Sequence, residues 1–393
     1  MLRDNYDVII SGGGPAGSVA ALRAAEAGFS VLLCEKRTQV GIPVRCGELA
    51  GYKKDLERFI PADPAFITAV IAQCEVVSPS GTVYTRKTIN EPVILDREVF
   101  DVALFNRAAS AGAHALTSAE ITNVTLGGNG NAESVAMEQN GVSRRIGCGY
   151  LIGADGVESS VGRLAGLSGA CPLSEIYSCF EYRISGYEGP SDSIRFFIGR
   201  KLAPHGYIWV FPRRKGEANV GIALVRTNRN NGHPPKAYLD SFMAVHFPGK
   251  PVIAISGGGI PIDAGLKSIA RRNMVLIGDA AHHANPFSGG GIMNAMEDAD
   301  LLVRLLVKSK RKHGKENLAR YRGIYFRKQG WILKWQRAAR RLFYGFNDAT
   351  VEKLFRVVDR ALGTGDVLSM RKLYWASVKG FIRSAVGAAP SGS

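Results

Sequence analysis

Residues 6–35, YDVIISGGGPAGSVAALRAAEAGFSVLLCE, run a strand, a turn, a helix and a second strand in close order. Val8-Ile9-Ile10 is β-branched and apolar and leads directly into Gly12-x-Gly14-x-x-Gly17. Each glycine has its own reason. Gly12 permits the tight turn, Gly14 lets a pyrophosphate approach the backbone, and Gly17 lets the helix lie close on the strand. Pro15 and Ala16 open that helix, whose N-terminus suits a phosphate. The second apolar run, Val31-Leu32-Leu33-Cys34, ends at Glu35, where a dinucleotide fingerprint wants a carboxylate for ribose hydroxyls. Strand, glycines, helix, second strand and acid fall in register, so the segment predicts dinucleotide binding. Glu35 would repel a 2′-phosphate, although Lys36 and Arg37 behind it soften that repulsion.

At 393 residues the chain exceeds one ordinary core and predicts two joined domains with extensions. A hydrophobic content of 46% with 46 glycines is that of a folded protein rich in turns. The net charge of +16 raises nucleic acid, an anionic membrane surface or an acidic substrate as partners. No zinc-finger spacing or RNA-binding signature accompanies it, so nucleic acid is not expected. Cysteines stand at 34, 46, 74, 148, 171 and 179 without a CxxC pair, which suits free thiols in a reducing compartment and argues against a metal site. Met1 leads into a strand without a signal-peptide pattern, and no run of roughly 18 apolar residues is present to span a bilayer. The expected location is cytoplasmic, at most peripheral to a membrane.

Beyond Glu35, residues 38–54 (TQVGIPVRCGELAGYKK) read as a loop facing the cofactor. Residues 66–94 alternate in short β-like runs, and a helix begins near Leu95-Asp96-Arg97, with apolar positions 99, 100, 103 and 104 on one face. Residues 119–146 read as a meander turning at Gly127-Gly128-Asn129-Gly130. Another apolar run ends in Gly153-Ala154-Asp155-Gly156. From 176 to about 261 five alternating strands, 176–184, 193–198, 207–211, 219–225 and 252–260, predict an antiparallel sheet inserted in the first domain. A buried strand then ends at Gly278-Asp279, and Gly289-Gly290-Gly291 precedes a helix from Ile292 to about Lys308. His282 and His283 are adjacent, point apart and have no evident third ligand, which disfavours metal.

Helices are expected from there to the end, with a frayed tail after Ala385. Residues 301–341 carry 14 Lys/Arg and one acid, Glu316. In 331–346 the residues Ile332, Trp335, Ala339, Leu342, Phe343 and Phe346 share one helical face, and Lys334, Arg337, Arg340 and Arg341 share the other. A packed helix with a solvated basic face is the simpler reading, and contact with anionic lipid the sharper one.

The ordered series of GxGxxG at 12–17, Arg97, Ala154-Asp155-Gly156 and Gly278-Asp279 resembles the flavoprotein hydroxylase superfamily of the p-hydroxybenzoate hydroxylase fold, over about residues 5–310. The resemblance implies an α/β (α+β) fold: a Rossmann-like FAD-binding domain (1–65, 95–170 and 265–310), an inserted antiparallel-sheet substrate domain (66–94 and 171–264) and a C-terminal helical region (311–393). It implies FAD, with Asp279 on the ribityl hydroxyls, Asp155 supporting the pyrophosphate region and Arg97 reaching the phosphate or ribityl part. Gly289-Gly290-Gly291 and Ile292, at a helix start, would turn N–H groups towards the pyrimidine edge of the flavin and stabilise the negative charge of its reduced form.

Pro204-His205-Gly206-Tyr207-Ile208-Trp209-Val210-Phe211-Pro212 matches the PxxYxWxFP pattern of geranylgeranyl reductases, and Asn219-Val220-Gly221 also fits that family. Tyr207, Trp209 and Phe211 alternate onto one strand face and predict an aromatic wall for a long apolar chain, with Pro212 beside it. Arg45-Cys46-Gly47-Glu48 resembles the cysteine loop beside the flavin in archaeal members, and Glu48 points to the lipid-reducing branch. The implied reaction passes a hydride from reduced flavin to one carbon of an isolated prenyl double bond and a proton to the other. The Cys46 thiol in its Gly/Pro-flanked loop is the candidate source, with water or the flavin itself as the alternatives and a buried structural cysteine as the simpler reading of that residue. Implied partners are a prenyl diphosphate or isoprenoid lipid, and NAD(P)H or ferredoxin as electron donor. Two other readings share the fold. A flavin-dependent halogenase or aromatic hydroxylase would want Trp and Ile where this chain has Tyr207 and Phe211, and a prenyl-binding escort protein would not need Gly278-Asp279.

Overall fold

A computed structural model describes every residue except 1, 89, 168–170, 226–232, 312–317 and 363–393. The stretch after Ala385 and the acid Glu316 therefore lie outside the described residues. In the 8-stranded sheet His114–Leu116, Val31–Cys34, Asn5–Ser11, Val142–Gly153 and Met274–Leu276 lie side by side and parallel. Val8, Ile9 and Ile10 are fully buried, as expected of a parallel strand covered on both faces. Burying each such side chain contributes about 1.5–3 kcal/mol. The expected meander is Ala119–Leu126, Ala132–Gln139 and Val142–Gly153, antiparallel at the sheet's flank. A Cβ on Gly12 would overlap the Ala154 carbonyl, and one on Gly17 the Gly12 carbonyl, so helix Pro15–Glu26 can sit this close only with glycine at both positions.

A 7-stranded sheet runs Val252–Pro261, Ile176–Ser185, Glu217–Val225, Gly206–Arg213, Ser193–Phe197, Gln73–Val77, Val83–Lys87. Helix Pro235–His246 covers one face, packing Leu239 and Phe242 against Ile184, Ile208 and Val220. The other face carries Tyr177, Trp209 and Phe211 and looks towards the first sheet. A 3-stranded sheet, Leu49–Tyr52, Pro92–Leu95 and Ile67–Val70, lies between them.

The structure departs from the sequence reading at four places. Residues 38–54 are not wholly loop: Leu49–Tyr52 pairs with Pro92–Leu95, a distant partner that leaves no local periodicity. The buried side of helix Arg97–Ser110 is Phe100, Asp101, Leu104, Phe105 and Ala108, while Val99 is 38% exposed. Asp101 turns inward to pair with Arg97 and so rotates the face. The inserted sheet is antiparallel except at one joint, where Ser193–Phe197 runs parallel to Gln73–Val77. The basic side of helix Trp331–Gly345 is not simply solvated: Arg340 is 3% exposed, and Arg337 (2.5 Å), Arg340 (2.8 Å) and Arg341 all close on Glu175. Leu342 and Trp331 are left outside, 50% and 64% exposed.

Candidate functional site

The ends of the parallel strands, the first turns of helices Pro15–Glu26 and Ile292–Arg311, and the inner face of the 7-stranded sheet enclose a cavity of about 380 Å³. Gly12, Gly14, Pro15, Ala16, Glu35, Lys36, Arg45, Cys46, Gly47, Arg97, Asp155, Asp279, Gly289, Gly290, Gly291 and Ile292 line it, and Tyr207, Trp209 and Phe211 line the far side. Gly17 and Gly278 are packed just behind, Gly278 against Ala16 and Ala295. Pro212 is not brought to the cavity, because strand alternation turns it to the opposite face with Ile208 and Val210.

At the nucleotide end the Glu35 carboxylate accepts the Gly13 N–H (2.7 Å) and the Arg37 N–H (3.0 Å), which holds the glycine turn against the second strand. Asp155 is already engaged. Its carboxylate accepts Ser159 Oγ–H (2.5 Å) and the N–H groups of Ser160 (2.8 Å) and Val161 (3.0 Å), capping helix Ser160–Leu164 under the cavity floor. Asp279 differs. Among the described residues nothing donates to its carboxylate, and burial pushes its pKa up against the pull of His282, Arg97 and His283. A carboxylate without donors, facing a cavity beside a glycine turn, fits a ligand that brings hydroxyl groups. These residues therefore fit the FAD that the fingerprint implies.

Cys46 sits where the two ends meet. Its Sγ accepts the Glu48 N–H at 3.2 Å. Burial raises the thiol pKa, against the lowering effect of the Arg97 guanidinium and of that N–H, so the thiol carries its proton at neutral pH. Arg97 lines the cavity, but Nε and Nη2 are committed to Asp101 at 2.6 and 2.7 Å. Gly47 lies flat on Trp209: a Cβ there would stand 3.1 Å from the indole Nε1.

Ring centroids run Tyr207 to Trp209 at 5.9 Å and Trp209 to Phe211 at 6.1 Å, and Phe196 lies 5.7 Å from Tyr207 and 5.5 Å from Phe211. Trp209 Nε1–H donates to Glu181 Oε2 at 2.9 Å, and burial pushes the Glu181 carboxyl up to about 8. Tyr207 donates to the Ser288 carbonyl and Tyr177 to that of Phe287. Phe343 and Tyr344 of helix Trp331–Gly345 close the far end against Phe287. Sequence reading missed Tyr177, Cys179 and Glu181, although their spacing of two on strand Ile176–Ser185 puts them on one face.

His283 is buried with Nδ1 on Asp298 (2.5 Å), and His282 pairs through Nδ1 with Asp263 (2.9 Å). The two histidines share no ligand set: His282 comes together with Cys171 and Asp263, their ligand atoms within 4.8 Å of one another, and His283 is not among them. None of the three lines the cavity.

The family described as geranylgeranyl reductase catalytic domain matches residues 175–260, and FAD dependent oxidoreductase matches residues 7–172. Digeranylgeranylglycerophospholipid reductase of Methanoculleus marisnigri is 38% identical over 311 residues, 78% of this chain and 78% of that protein. The protein of the same name from Methanocella arvoryzae is 36% identical over 309 residues, again 78% of each. A crystal structure of a geranylgeranyl bacteriochlorophyll reductase-like protein from Thermoplasma acidophilum superposes with a TM-score of 0.90 at 28% identity, over 98% of both chains. A flavin-dependent brominase superposes with a TM-score of 0.69 at 17% identity, over 90% of this chain and 100% of the brominase, and shares the fold alone. The chain belongs to the geranylgeranyl reductase family of FAD-dependent oxidoreductases.

Proposed function

We propose that this protein saturates isolated C=C bonds of geranylgeranyl chains, carried on an isoprenoid lipid or a prenyl diphosphate, in an FAD-dependent reaction. The observation that carries this reading is the facing of two surfaces across one cavity: the Phe196, Tyr207, Trp209 and Phe211 wall on one side, the Cys46 loop and the donor-free Asp279 carboxylate on the other. FAD would be held by the glycine turn and the N-terminus of helix Pro15–Glu26 at its pyrophosphate, by Glu35 at its ribose, by Asp279 at its ribityl hydroxyls, and by the helix start at Gly289–Ile292. Reduced and bound there, it supplies the hydride.

The chain's own residues do the rest. An isolated alkene has no carbonyl to polarise, so rate enhancement comes from holding the bond in place, excluding water and supplying a proton on time. The aromatic wall holds the prenyl chain through apolar contact. Cys46, protonated because its burial raises the thiol pKa, gives the proton to the second alkene carbon. Arg45, 48% exposed at the cavity lining, suits an anionic head group.

Each bond consumes two electrons from a redox donor. With one dinucleotide fingerprint in the chain, NAD(P)H or a ferredoxin would serve as a visiting donor. No helix among the described residues is long and apolar enough to cross a membrane. A cytoplasmic protein resting on the membrane face is supported by Trp331, Lys334, Arg341 and Leu342, which share the exposed stripe of helix Trp331–Gly345. We assign residues 1–65, 95–170 and 265–310 to FAD binding and 66–94 and 171–264 to the substrate; of the C-terminal region, 311–393, the described residues 318–362 form the helical part.

The test is anaerobic incubation of dithionite-reduced protein with geranylgeranyl diphosphate or a digeranylgeranyl lipid, followed by mass spectrometry. The expected product gains about two mass units per bond, the hydride plus a proton. A flavin-loaded, reduced protein that leaves both substrates unchanged sinks the reading.

A further inference from the structure

Glu48 follows the Cys46 loop into a place where a carboxylate is costly. Its side chain is 0% exposed, and its backbone has φ 71, a left-handed conformation that strains any residue bearing a Cβ. A glycine would take that backbone freely, so what the position gains from glutamate is the side chain. Every polar group of the residue is used. The N–H donates to Cys46 Sγ at 3.2 Å, and the carbonyl accepts the Leu95 N–H at 2.9 Å. Oε1 accepts the Arg97 N–H at 2.9 Å, and Oε2 accepts from Asn219 Nδ2 at 2.6 Å and from Arg213 Nη1, with Arg183 Nη2 at 3.6 Å.

We propose that Glu48 is the positioning residue of Cys46: its carboxylate ties the cysteine loop to three strands of the substrate sheet, and its left-handed backbone aims an N–H at the sulfur. The anchors lie on separate elements. Arg183 is on Ile176–Ser185, Arg213 on Gly206–Arg213, Asn219 on Glu217–Val225, and the Arg97 N–H opens helix Arg97–Ser110. Three donors and the nearby Arg183 guanidinium converging on one buried carboxylate fix its place, and Cys46 is only two residues away. The sulfur is thereby registered against the aromatic wall on that same sheet and against the nucleotide half at once. Removing the carboxylate leaves Arg213 with Asp96 at 3.0 Å and the Leu95 carbonyl at 3.0 Å, so the sheet keeps partners while the loop loses its tether.

The effect on turnover rests on the reading of Cys46 as proton source, whereas the effect on the thiol itself does not, and the experiment separates the two. FAD-loaded Glu48→Gly and Asn219→Ala are compared with wild type. Flavin absorbance and thermal unfolding report folding, and N-ethylmaleimide labelling of the Cys46 peptide by mass spectrometry reports the thiol. Reoxidation of dithionite-reduced flavin by geranylgeranyl diphosphate reports turnover. Glu48→Gly is expected to label Cys46 about tenfold faster and reoxidise about tenfold slower, each equivalent to about 1.4 kcal/mol of lost positioning. Asn219→Ala, which removes one donor and no charge, moves both in the same directions by about threefold. Wild-type labelling in flavin-loaded Glu48→Gly overturns the proposal, and if that variant does not fold, wild-type labelling in Asn219→Ala overturns it alone. Unchanged reoxidation in Cys46→Ser, with labelling still accelerated in the Glu48 variant, removes the thiol from catalysis and leaves its positioning standing.

Discussion

Glu181 gives the sharpest pH-dependent prediction. It is 7% exposed, Trp209 Nε1–H is its donor at 2.9 Å, and burial raises its carboxyl from 4.5 to about 8, with Glu48 adding to the rise and Trp209, Arg183 and Arg213 opposing it. A carboxyl raised by folding favours the native state while protonated, below pH 4.5, and that stability is lost as pH climbs through about 8. At about 1.4 kcal/mol per pH unit the span sets an upper bound near ~5 kcal/mol, reduced where Arg183 and Arg213 relax towards the anion. Glu181→Gln keeps the size and an acceptor for the indole but cannot ionise. Thermal unfolding of FAD-saturated wild type and variant, in steps from pH 5 to 9, should give curves that diverge as pH rises, the variant ending higher. Unfolding entropy of about 0.8 kcal/mol/K for a chain this long converts the bound to a gap of about 3–6 °C at pH 9. Parallel curves across the range would refute the burial argument, because the sole designed difference is a group that titrates within it.

Asp279→Ala removes charge-assisted hydrogen bonds to the ribityl chain worth about 1.5–3 kcal/mol and should weaken FAD affinity about 10- to 100-fold in a folded protein; unchanged affinity by flavin titration withdraws the assignment. Trp209→Ala should alter chain-length preference in product analysis while the flavin spectrum persists, at a stability cost of about 3–5 kcal/mol. Loss of FAD from that variant would show the residue to be a support of the nucleotide half instead. Cys46→Ser should bind and reduce FAD normally and slow flavin reoxidation by prenyl substrate by about 10²-fold or more. Stopped-flow traces that match wild type would assign the proton to water.

What the sequence made legible was local. The glycine turn, its strands and Glu35 can be read in order because the constraints act over a few residues, Gly17 lying against Gly12 itself. The Tyr207, Trp209, Phe211 wall is readable for the same reason, since period-two alternation needs no distant partner. Alternation also argues against Pro212, one position beyond Phe211, as a wall residue. What stayed hidden depends on partners far along the chain: Glu48 meets Arg213 and Asn219, and Glu175 meets three arginines of helix Trp331–Gly345. That second cluster explains why a helical wheel misjudged Arg340, which is drawn inward by an acid that the wheel cannot contain. Val99 is a different case, displaced outward by a local pair, Arg97 with Asp101 four residues on, that turns a charged residue into the buried face.

The parallel joint between Ser193–Phe197 and Gln73–Val77 bears on the order in which the protein is made. Until the two segments meet, Ser193–Phe197 is an edge strand with open N–H and C=O groups along one side. Strand Gln73–Val77 leaves the ribosome well before its partner and has only its hairpin neighbour Val83–Lys87 to pair with while it waits. Contacts of such long sequence separation are slow to form, so the substrate sheet completes late, and the cavity it walls completes with it. Expressing 171–264 alone would leave that edge permanently open and the fragment prone to strand-to-strand association, however well its other strands pair.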